Sequence, residues 1–122
     1  MVFEIEGQIL RGIRQEHGGY YSVLLGNEVV KGLLGDQLIE TRETDESIEG
    51  YALVLEHRKI SPINYCYEWP VRMLQDAALL TVEMCIKLSE GGLVVKDATP
   101  WNILYEGTKP IFICWINPVG YL

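Results

Sequence analysis

The segment Asp97–Asn102 (DATPWN) lies between two apolar runs, and this arrangement decides the fold that the sequence predicts. The run Leu93–Val95 precedes the segment, and the run Ile111–Ile113 follows it after a turn at residues 106–108 (EGT). Short runs of branched apolar residues bounded by turn residues are typical of strands. The sequence therefore predicts two partner strands and a polar loop that carries Asp97 and Asn102.

Each polar residue of this segment has a structural and a chemical interpretation. Asp97, just before Thr99 and Pro100, suits a turn or helix cap whose carboxylate accepts from backbone N–H groups. Asn102 suits a side chain that braces the loop, although amide and carboxylate oxygens are also ligands for hard cations such as Mg²⁺. Cys114 follows a predicted buried strand, and we expect an inert core thiol because no histidine lies near it in sequence.

The strongest predicted helix begins at Pro70 and ends at Gly91-Gly92, since proline suits a first turn and glycine a stop. Its periodicity predicts an apolar face that packs in the core, with Cys85 among the core residues; that face comprises Val71, Leu74, Ala77, Ala78, Val82, Cys85 and Ile86. Just before the helix, Tyr67 and Trp69 suit either the lining of a cleft or packing against the helix, and we favour packing.

The first half of the chain predicts a smaller set of elements. We expect a hairpin of two strands at Val2–Ile5 and Gln8–Ile13, followed by a broken helix at Tyr20–Leu34. A third strand is expected at Gln37–Thr41, an acidic solvated loop at residues 40–50 and a strong fourth strand at Tyr51–His57. His17 and His57 are isolated in sequence, which favours surface or hinge positions for both.

Composition restricts the classes of function. The chain has 122 residues, a net charge of −7 and 48% hydrophobic residues, which is typical of one folded domain. Surfaces that bind nucleic acid concentrate Lys and Arg, so we expect no nucleic-acid partner. No apolar run approaches the ~20 residues of a spanning helix, and three unclustered cysteines suit a reducing compartment, so we expect no membrane partner and a cytoplasmic location.

The order of elements resembles a protein-kinase-like fold that lacks its first strands and its later helices. The resemblance implies a reduced α+β fold, with residues 1–59 as an N-lobe-like part, residues 60–122 as a partial C-lobe-like part and residues 93–115 as a catalytic-loop-like segment. In such folds an Asp takes the hydroxyl proton, and an Asn and a second Asp hold the metal. The resemblance implies those roles for Asp97 and Asn102, and it places Cys114 where the second Asp would be. A thiol is a poor ligand for Mg²⁺.

The same resemblance places Arg11 at the position of the phosphate-pairing lysine, with Glu28 as its ion-pair partner. Both residues would then belong to a nucleotide-binding site. The alternative is that they are two unrelated surface charges, which contribute little.

A narrower resemblance rests on three motifs. These are Tyr67–Pro70 (YEWP), Met73–Thr81 (MLQDAALLT) and Lys96–Asn102 (KDATPWN). They resemble the N-terminal region that precedes the catalytic domain in bacterial class I S-adenosylmethionine-dependent methyltransferase-like proteins, some of them nodulation-related. The chain has no strand-associated G-x-G-x-G loop for the cofactor, so we expect it not to methylate anything alone.

Three functional hypotheses follow. The first is an accessory kinase-like domain without catalysis or cofactor of its own, which positions a substrate or partner for a methyltransferase domain in the same or another chain. The second is a small phosphotransferase that uses Asp97 and Asn102 with Mg-ATP. The third is a structural oligomerisation module. We favour the first, and we expect a homo-oligomer because a reduced lobe would leave an apolar face uncovered.

Overall fold

The structure, a computed structural model, describes residues 2–95, 98–113 and 116–118. Its helices and strands are, in chain order, β1 (Val2–Ile5), β2 (Gln8–Ile13), α1 (Gln15–Gly26), α2 (Glu28–Leu33), β3 (Thr41–Glu43), β4 (Leu53–His57), α3 (Val71–Glu90), β5 (Leu93–Val95), β6 (Ile103–Glu106), β7 (Lys109–Phe112) and β8 (Ile116–Pro118). The chain divides into a first unit, residues 1–35 with 39–59, and a second unit, residues 36–38 with 60–122. The described residues therefore form a mixed α+β protein, as the sequence predicts at that level.

An antiparallel sheet with the strand order β1-β2-β4-β3 forms the first unit. Its opening hairpin is confirmed, because Ile5 pairs with Gln8 across the two-residue turn Glu6-Gly7. Both turn residues have positive φ, at 51° and 81°, as the tight hairpin turns that match strand twist require. Strand β4 lies between β2 and β3, and its residues Val54 and Leu55 are fully buried, as its nearly continuous apolar run predicts.

The predicted broken helix is confirmed, although it begins earlier than the apolar spacing indicates. Asn27 separates α1 from α2 and has an extended backbone. Its Oδ1 accepts from the backbone N–H groups of Val29 and Val30 at 2.9 and 3.4 Å. This is the N-cap bond that makes asparagine a good first residue of a helix, so Asn27 ends one helix and starts the next.

The strand predicted at Gln37–Thr41 is wrong in most of its length. Only Thr41 belongs to a strand, β3, which lies inside the segment predicted as an acidic loop. In the register of β3 on β4, Thr41 lies opposite His57 and Glu43 lies opposite Leu55. Arg42 lies opposite Glu56 and also forms a salt bridge with it. Cross-strand pairing therefore overrides the polar composition of this segment.

Strand pairing in the second unit also differs from the prediction. The residues after the turn, in β7, pair with β6 rather than with β5, and β5 pairs with β8. The cause is the turn, because Glu106 and Lys109 face each other across only Gly107 and Thr108, and Gly107 has a φ of 62°. A two-residue turn joins the strands directly beside it, so β6 is the necessary partner of β7.

Helix α3 has the predicted start and stop, but a different face of it is buried. Its buried residues are Ala77, Leu80, Met84 and Leu88, of which only Ala77 belongs to the predicted face. Cys85 is exposed and is not a core residue. Since each residue turns a helix by 100°, the buried residues and the predicted face occupy largely different arcs of the same helix. Within the described residues, no helix combines the length and apolar character needed to cross a bilayer.

Candidate functional site

The loop that carries Asn102 is a short 3-10 turn, Pro100–Asn102, which leads directly into β6. The backbone N–H of Asn102 donates to Thr99 O at 3.0 Å, and its carbonyl accepts from Ile113 N–H at 2.8 Å. Its side-chain Nδ2 lies 3.4 Å from Thr99 Oγ1. Asn102 therefore closes its own loop and ties it to the residue after β7, which is the bracing role that its amide suits.

The other two predicted residues of this loop, Asp97 and Cys114, lie outside the described residues. Their predicted roles as base and as the substitute for a metal-binding Asp stay predictions. Among the residues that the structure describes, no group of three or more His, Cys, Asp or Glu side chains is arranged to hold a metal ion.

Three aromatic rings meet beside Asn102. Tyr65 and Tyr67 are nearly parallel, with centroids 5.9 Å apart and 17° between their planes. Trp101 lies 6.2 Å from Tyr65 and 6.1 Å from Tyr67, tilted by 49° and 50°. The three side chains, which we call the aromatic triad, are 46%, 71% and 59% exposed. Large aromatic surfaces are normally buried in a core or an interface, so their joint exposure makes this position a candidate binding surface.

The triad is supported by a buried aromatic pair. Trp69 is 7% exposed and packs edge-to-face on Tyr105 at 5.1 Å and 79°. The Tyr105 hydroxyl donates to Met73 O at 2.6 Å, in the first turn of α3. Burial raises the pKa of Tyr105, and the nearby charge of Asp76 adds to that shift. Trp69 is therefore buried against Tyr105 of β6, whereas Tyr67 is mostly exposed.

Arg11, the predicted phosphate-pairing residue, contacts a histidine of its own sheet. Its Nε–H donates to His57 Nε2 at 3.2 Å, and Thr41 Oγ1 lies 2.7 Å from His57 Nδ1. Thr41 in turn donates to Ile39 O at 3.0 Å. Arg11 can only donate, so His57 Nε2 accepts. The Thr41 hydroxyl already donates its proton to Ile39 O, so it accepts from His57 Nδ1. His57 must therefore be neutral, with its ring proton on Nδ1.

Burial and, to a smaller extent, the charge of Arg11 together lower the pKa of His57 to about 4. The sequence favoured a surface or a hinge position for His57; because it is 7% exposed, the surface position is wrong, and the hinge position stays a prediction. His17 is on the surface as predicted, 3.7 Å from Glu16. Glu28, predicted as the partner of Arg11, pairs with Lys31 on the same helix at 3.5 Å and is largely exposed. Arg11 and Glu28, which the resemblance pairs with each other, therefore contact different residues in the structure.

Sequence reasoning missed Tyr65 and Trp101 as functional residues. Part of the signal was present, since Tyr67 and Trp101 lie inside two of the three motifs that carry the resemblance, and Tyr65 lies two residues before the first of them. The sequence does not show that the 3-10 turns Cys66–Glu68 and Pro100–Asn102 lie close together in space.

Comparison with known proteins finds a relative among bacterial nodulation proteins. The chain is 28% identical over 118 residues to the nodulation protein NoeA of Rhizobium meliloti (strain 1021). The match covers 92% of this chain and 24% of the relative, so the chain spans about a quarter of that protein's length. No family profile and no solved structure matches the chain. The chain is a distant homologue of a segment of a bacterial nodulation protein.

Proposed function

We propose that this chain is a non-catalytic accessory module that docks on a larger catalytic domain and positions a substrate or partner for it. By the sequence resemblance, that domain is an S-adenosylmethionine-dependent methyltransferase in the same or another chain. The observation that carries the proposal is the exposed apolar side of α3.

This surface, which we call the outer face of α3, consists of Val71, Leu74, Ala78, Val82, Cys85 and Ile86. Val71 is 70% exposed, and Val82 and Ile86 are each 57% exposed. The charged side chains of the helix follow a separate narrow strip instead: Arg72, Asp76, Glu83, Lys87 and Glu90. Each Å² of apolar surface that a partner removes from water contributes about 25 cal/mol, so a continuous apolar helix face is suited to an interface.

The length of the relative supports an adjoining domain as the occupant of this face. NoeA is about four times as long as the segment it shares with this chain. An isolated quarter of such a protein would expose the surface that its remaining part covers. Interfaces between domains of one chain are commonly formed in this way.

We also propose that the fold is of kinase-like descent, with a reduced N-lobe in residues 1–59 and a partial C-lobe in residues 60–122. The order of hairpin, broken helix, strand, long helix and strand–loop–strand supports this descent. Two features favour an accessory role over phosphoryl transfer: Arg11 is engaged by His57, and Cys114 replaces a carboxylate that would hold Mg²⁺.

The docking experiment uses the remaining three quarters of NoeA as a separate polypeptide and measures its affinity for this chain by calorimetry. We expect Val82→Glu and Ile86→Glu each to weaken binding at least tenfold, because each places a charge in an apolar interface. The matched control is Glu83→Gln, which lies on the same helix in the charged strip. Equal affinity for all variants would overturn the outer face as the docking surface.

The accessory role is tested by titrating Mg-ATP and then S-adenosylmethionine into this chain and into its Cys114→Asp variant. We expect no binding of either ligand to the unaltered chain. Saturable Mg-ATP binding by the unaltered chain would instead support the alternative, a small phosphotransferase with Asp97 as base and Asn102 as metal ligand.

The predicted homo-oligomer is a separate outcome for the same face. Light scattering after size-exclusion chromatography would give the mass in solution. A dimer that Val82→Glu converts to a monomer would assign the outer face to a second copy of this chain and support a structural oligomerisation module.

A further inference from the structure

We infer that the aromatic triad Tyr65, Tyr67 and Trp101 is a binding site for a quaternary alkylammonium group. This inference concerns a surface other than the outer face of α3 and does not depend on the docking proposal. It rests on the geometry of the rings, on their exposure and on the charge of the chain.

The centroids of the triad form a nearly equilateral triangle with sides of 5.9, 6.1 and 6.2 Å. A cation about 3.6 Å above the centre of this triangle is about 5 Å from all three centroids at once, and a cation–π interaction reaches roughly 6 Å from the centroid over the face of a ring. The space inside the triangle is too small for the cation, so the ligand would lie on the triad rather than within it.

The tilt of Trp101 selects between classes of ligand. A flat ligand, such as a sugar ring or a nucleobase, can lie parallel to the tyrosine rings or to Trp101 but not to both, because the planes differ by 49° and 50°. A tetrahedral ammonium group has no plane to align and can direct methyl groups at all three rings. The geometry therefore favours a compact cation over a planar ligand.

Charge favours the same ligand. The chain has a net charge of −7, and exposed Glu68 lies next to Tyr67 in the 3-10 turn Cys66–Glu68. A negative field raises the local concentration of cations and disfavours phosphate-bearing ligands. A quaternary group suits open aromatic rings better than a primary amine does, because it is weakly hydrated and its methyl groups bury apolar surface.

The backbone turns that carry the rings are also closed before any ligand binds. Glu68 N–H donates to Tyr65 O at 2.9 Å, and Asn102 N–H donates to Thr99 O at 3.0 Å, which fixes the two turns that carry the rings. Trp69, packed on Tyr105, anchors the chain immediately after Tyr67 and Glu68. A preorganised site loses less side-chain freedom on binding, which favours affinity.

The test titrates choline and its neutral carbon isostere, 3,3-dimethylbutan-1-ol, into the protein and follows the indole N–H resonance of Trp101, assigned with Trp101→Phe. The two probes have the same shape and differ in charge. We expect a saturable shift with choline and about tenfold weaker binding of the isostere, as three exposed cation–π contacts imply.

Two variants and one control complete the experiment, with the backbone resonances used to follow choline in every variant. Tyr67→Leu and Trp101→Leu should each abolish choline binding, since both keep an apolar side chain but remove a ring. Leu79→Ala, an exposed apolar site on α3, should leave it unchanged. Equal binding of choline and its isostere would show that the triad is only an apolar patch. Binding of methyl glucoside but not of choline would show that it binds sugars. Either result, or no saturable shift at all, would overturn the inference.

Discussion

His57 in the first unit and Trp101 in the second have opposite environments. His57 is a polar side chain that is 7% exposed and has hydrogen bonds to both ring nitrogens. Trp101 is an aromatic side chain that is 59% exposed and contacts two other exposed rings. The usual distribution of polar and apolar groups is inverted at both positions.

The two positions differ in whether contacts inside the protein compensate for the unusual environment of the side chain. Burial of His57 is compensated within the sheet, because both of its ring nitrogens and the Thr41 hydroxyl have hydrogen-bond partners. Exposure of the triad and of the outer face of α3 has no such compensation inside the described residues. We conclude that the first inversion stabilises the fold, whereas the second favours contact with another molecule.

The largest expected effect compares the two faces of α3. Leu88 is fully buried and Ile86, two residues earlier, is 57% exposed. Leu88→Ala should lower the free energy of unfolding by about 2–5 kcal/mol, because it removes core contacts and leaves a cavity. Ile86→Ala should change it by less than about 0.5 kcal/mol. Urea denaturation of both variants gives the values, and similar losses for the two would show that the outer face is covered within this chain.

The next effect concerns pH and depends on the lowered pKa of His57. Folding holds this pKa at about 4, against 6.5 for the ordinary group, so the unfolded chain binds more protons between those values. The contribution of His57 to the free energy of unfolding is therefore fully present above pH 6.5. It decreases as the pH falls from 6.5 to 4 and does not decrease further below pH 4. Between pH 7 and pH 5 the loss should be about 2 kcal/mol.

The control for this effect is His57→Gln, which keeps a donor and an acceptor but cannot titrate. Chemical denaturation at several pH values should show a flatter profile for the variant than for the unaltered chain. Identical slopes between pH 7 and pH 5 would mean that His57 is charged in the folded state or is exposed to water.

The sequence predicted local elements well where turn chemistry and pattern agree. The first hairpin, the existence of a broken helix and the limits of α3 all follow from short-range rules about Gly and Pro. It failed where a long-range choice decides the outcome. The apolar arc of α3 is wider than the surface that packs on it, so periodicity alone selected the wrong part as buried.

The candidate site was predictable only in part, for the same reason. Asn102 and Trp69 behave as their residue types suggest, since an amide braces a loop and a tryptophan fills a core. His57 becomes buried because three strands bring Arg11, Thr41 and Ile39 around it, which no sequence spacing indicates. Likewise, the meeting of Tyr65 and Tyr67 with Trp101 joins residues more than thirty positions apart.

A smaller effect compares two tyrosines of the second unit. The Tyr105 hydroxyl donates to Met73 O, whereas Tyr67 is 71% exposed. Tyr105→Phe should cost about 1 kcal/mol, the net value of one hydrogen bond plus the unpaired carbonyl that remains. Tyr67→Phe should leave the free energy of unfolding within about 0.5 kcal/mol of its original value. Thermal denaturation of both variants would test this, and an equal loss would mean that the triad stabilises the fold rather than presenting a surface.

The smallest effect belongs to a surface ion pair of the second unit. Lys109 Nζ donates to Asp36 Oδ1 at 2.7 Å, and this hydrogen bond, followed by the charge of Lys109, lowers the pKa of Asp36. Both side chains are half exposed or more, so water and salt screen the attraction. We expect Asp36→Asn to cost less than about 0.5 kcal/mol and the difference to shrink in high salt. The pair should contribute only above the folded pKa of Asp36, because a lowered carboxyl pKa adds stability that is lost on acidification. A loss comparable to that of Leu88→Ala, unchanged by salt, would mean that this exposed pair supports the second unit as strongly as its buried core does.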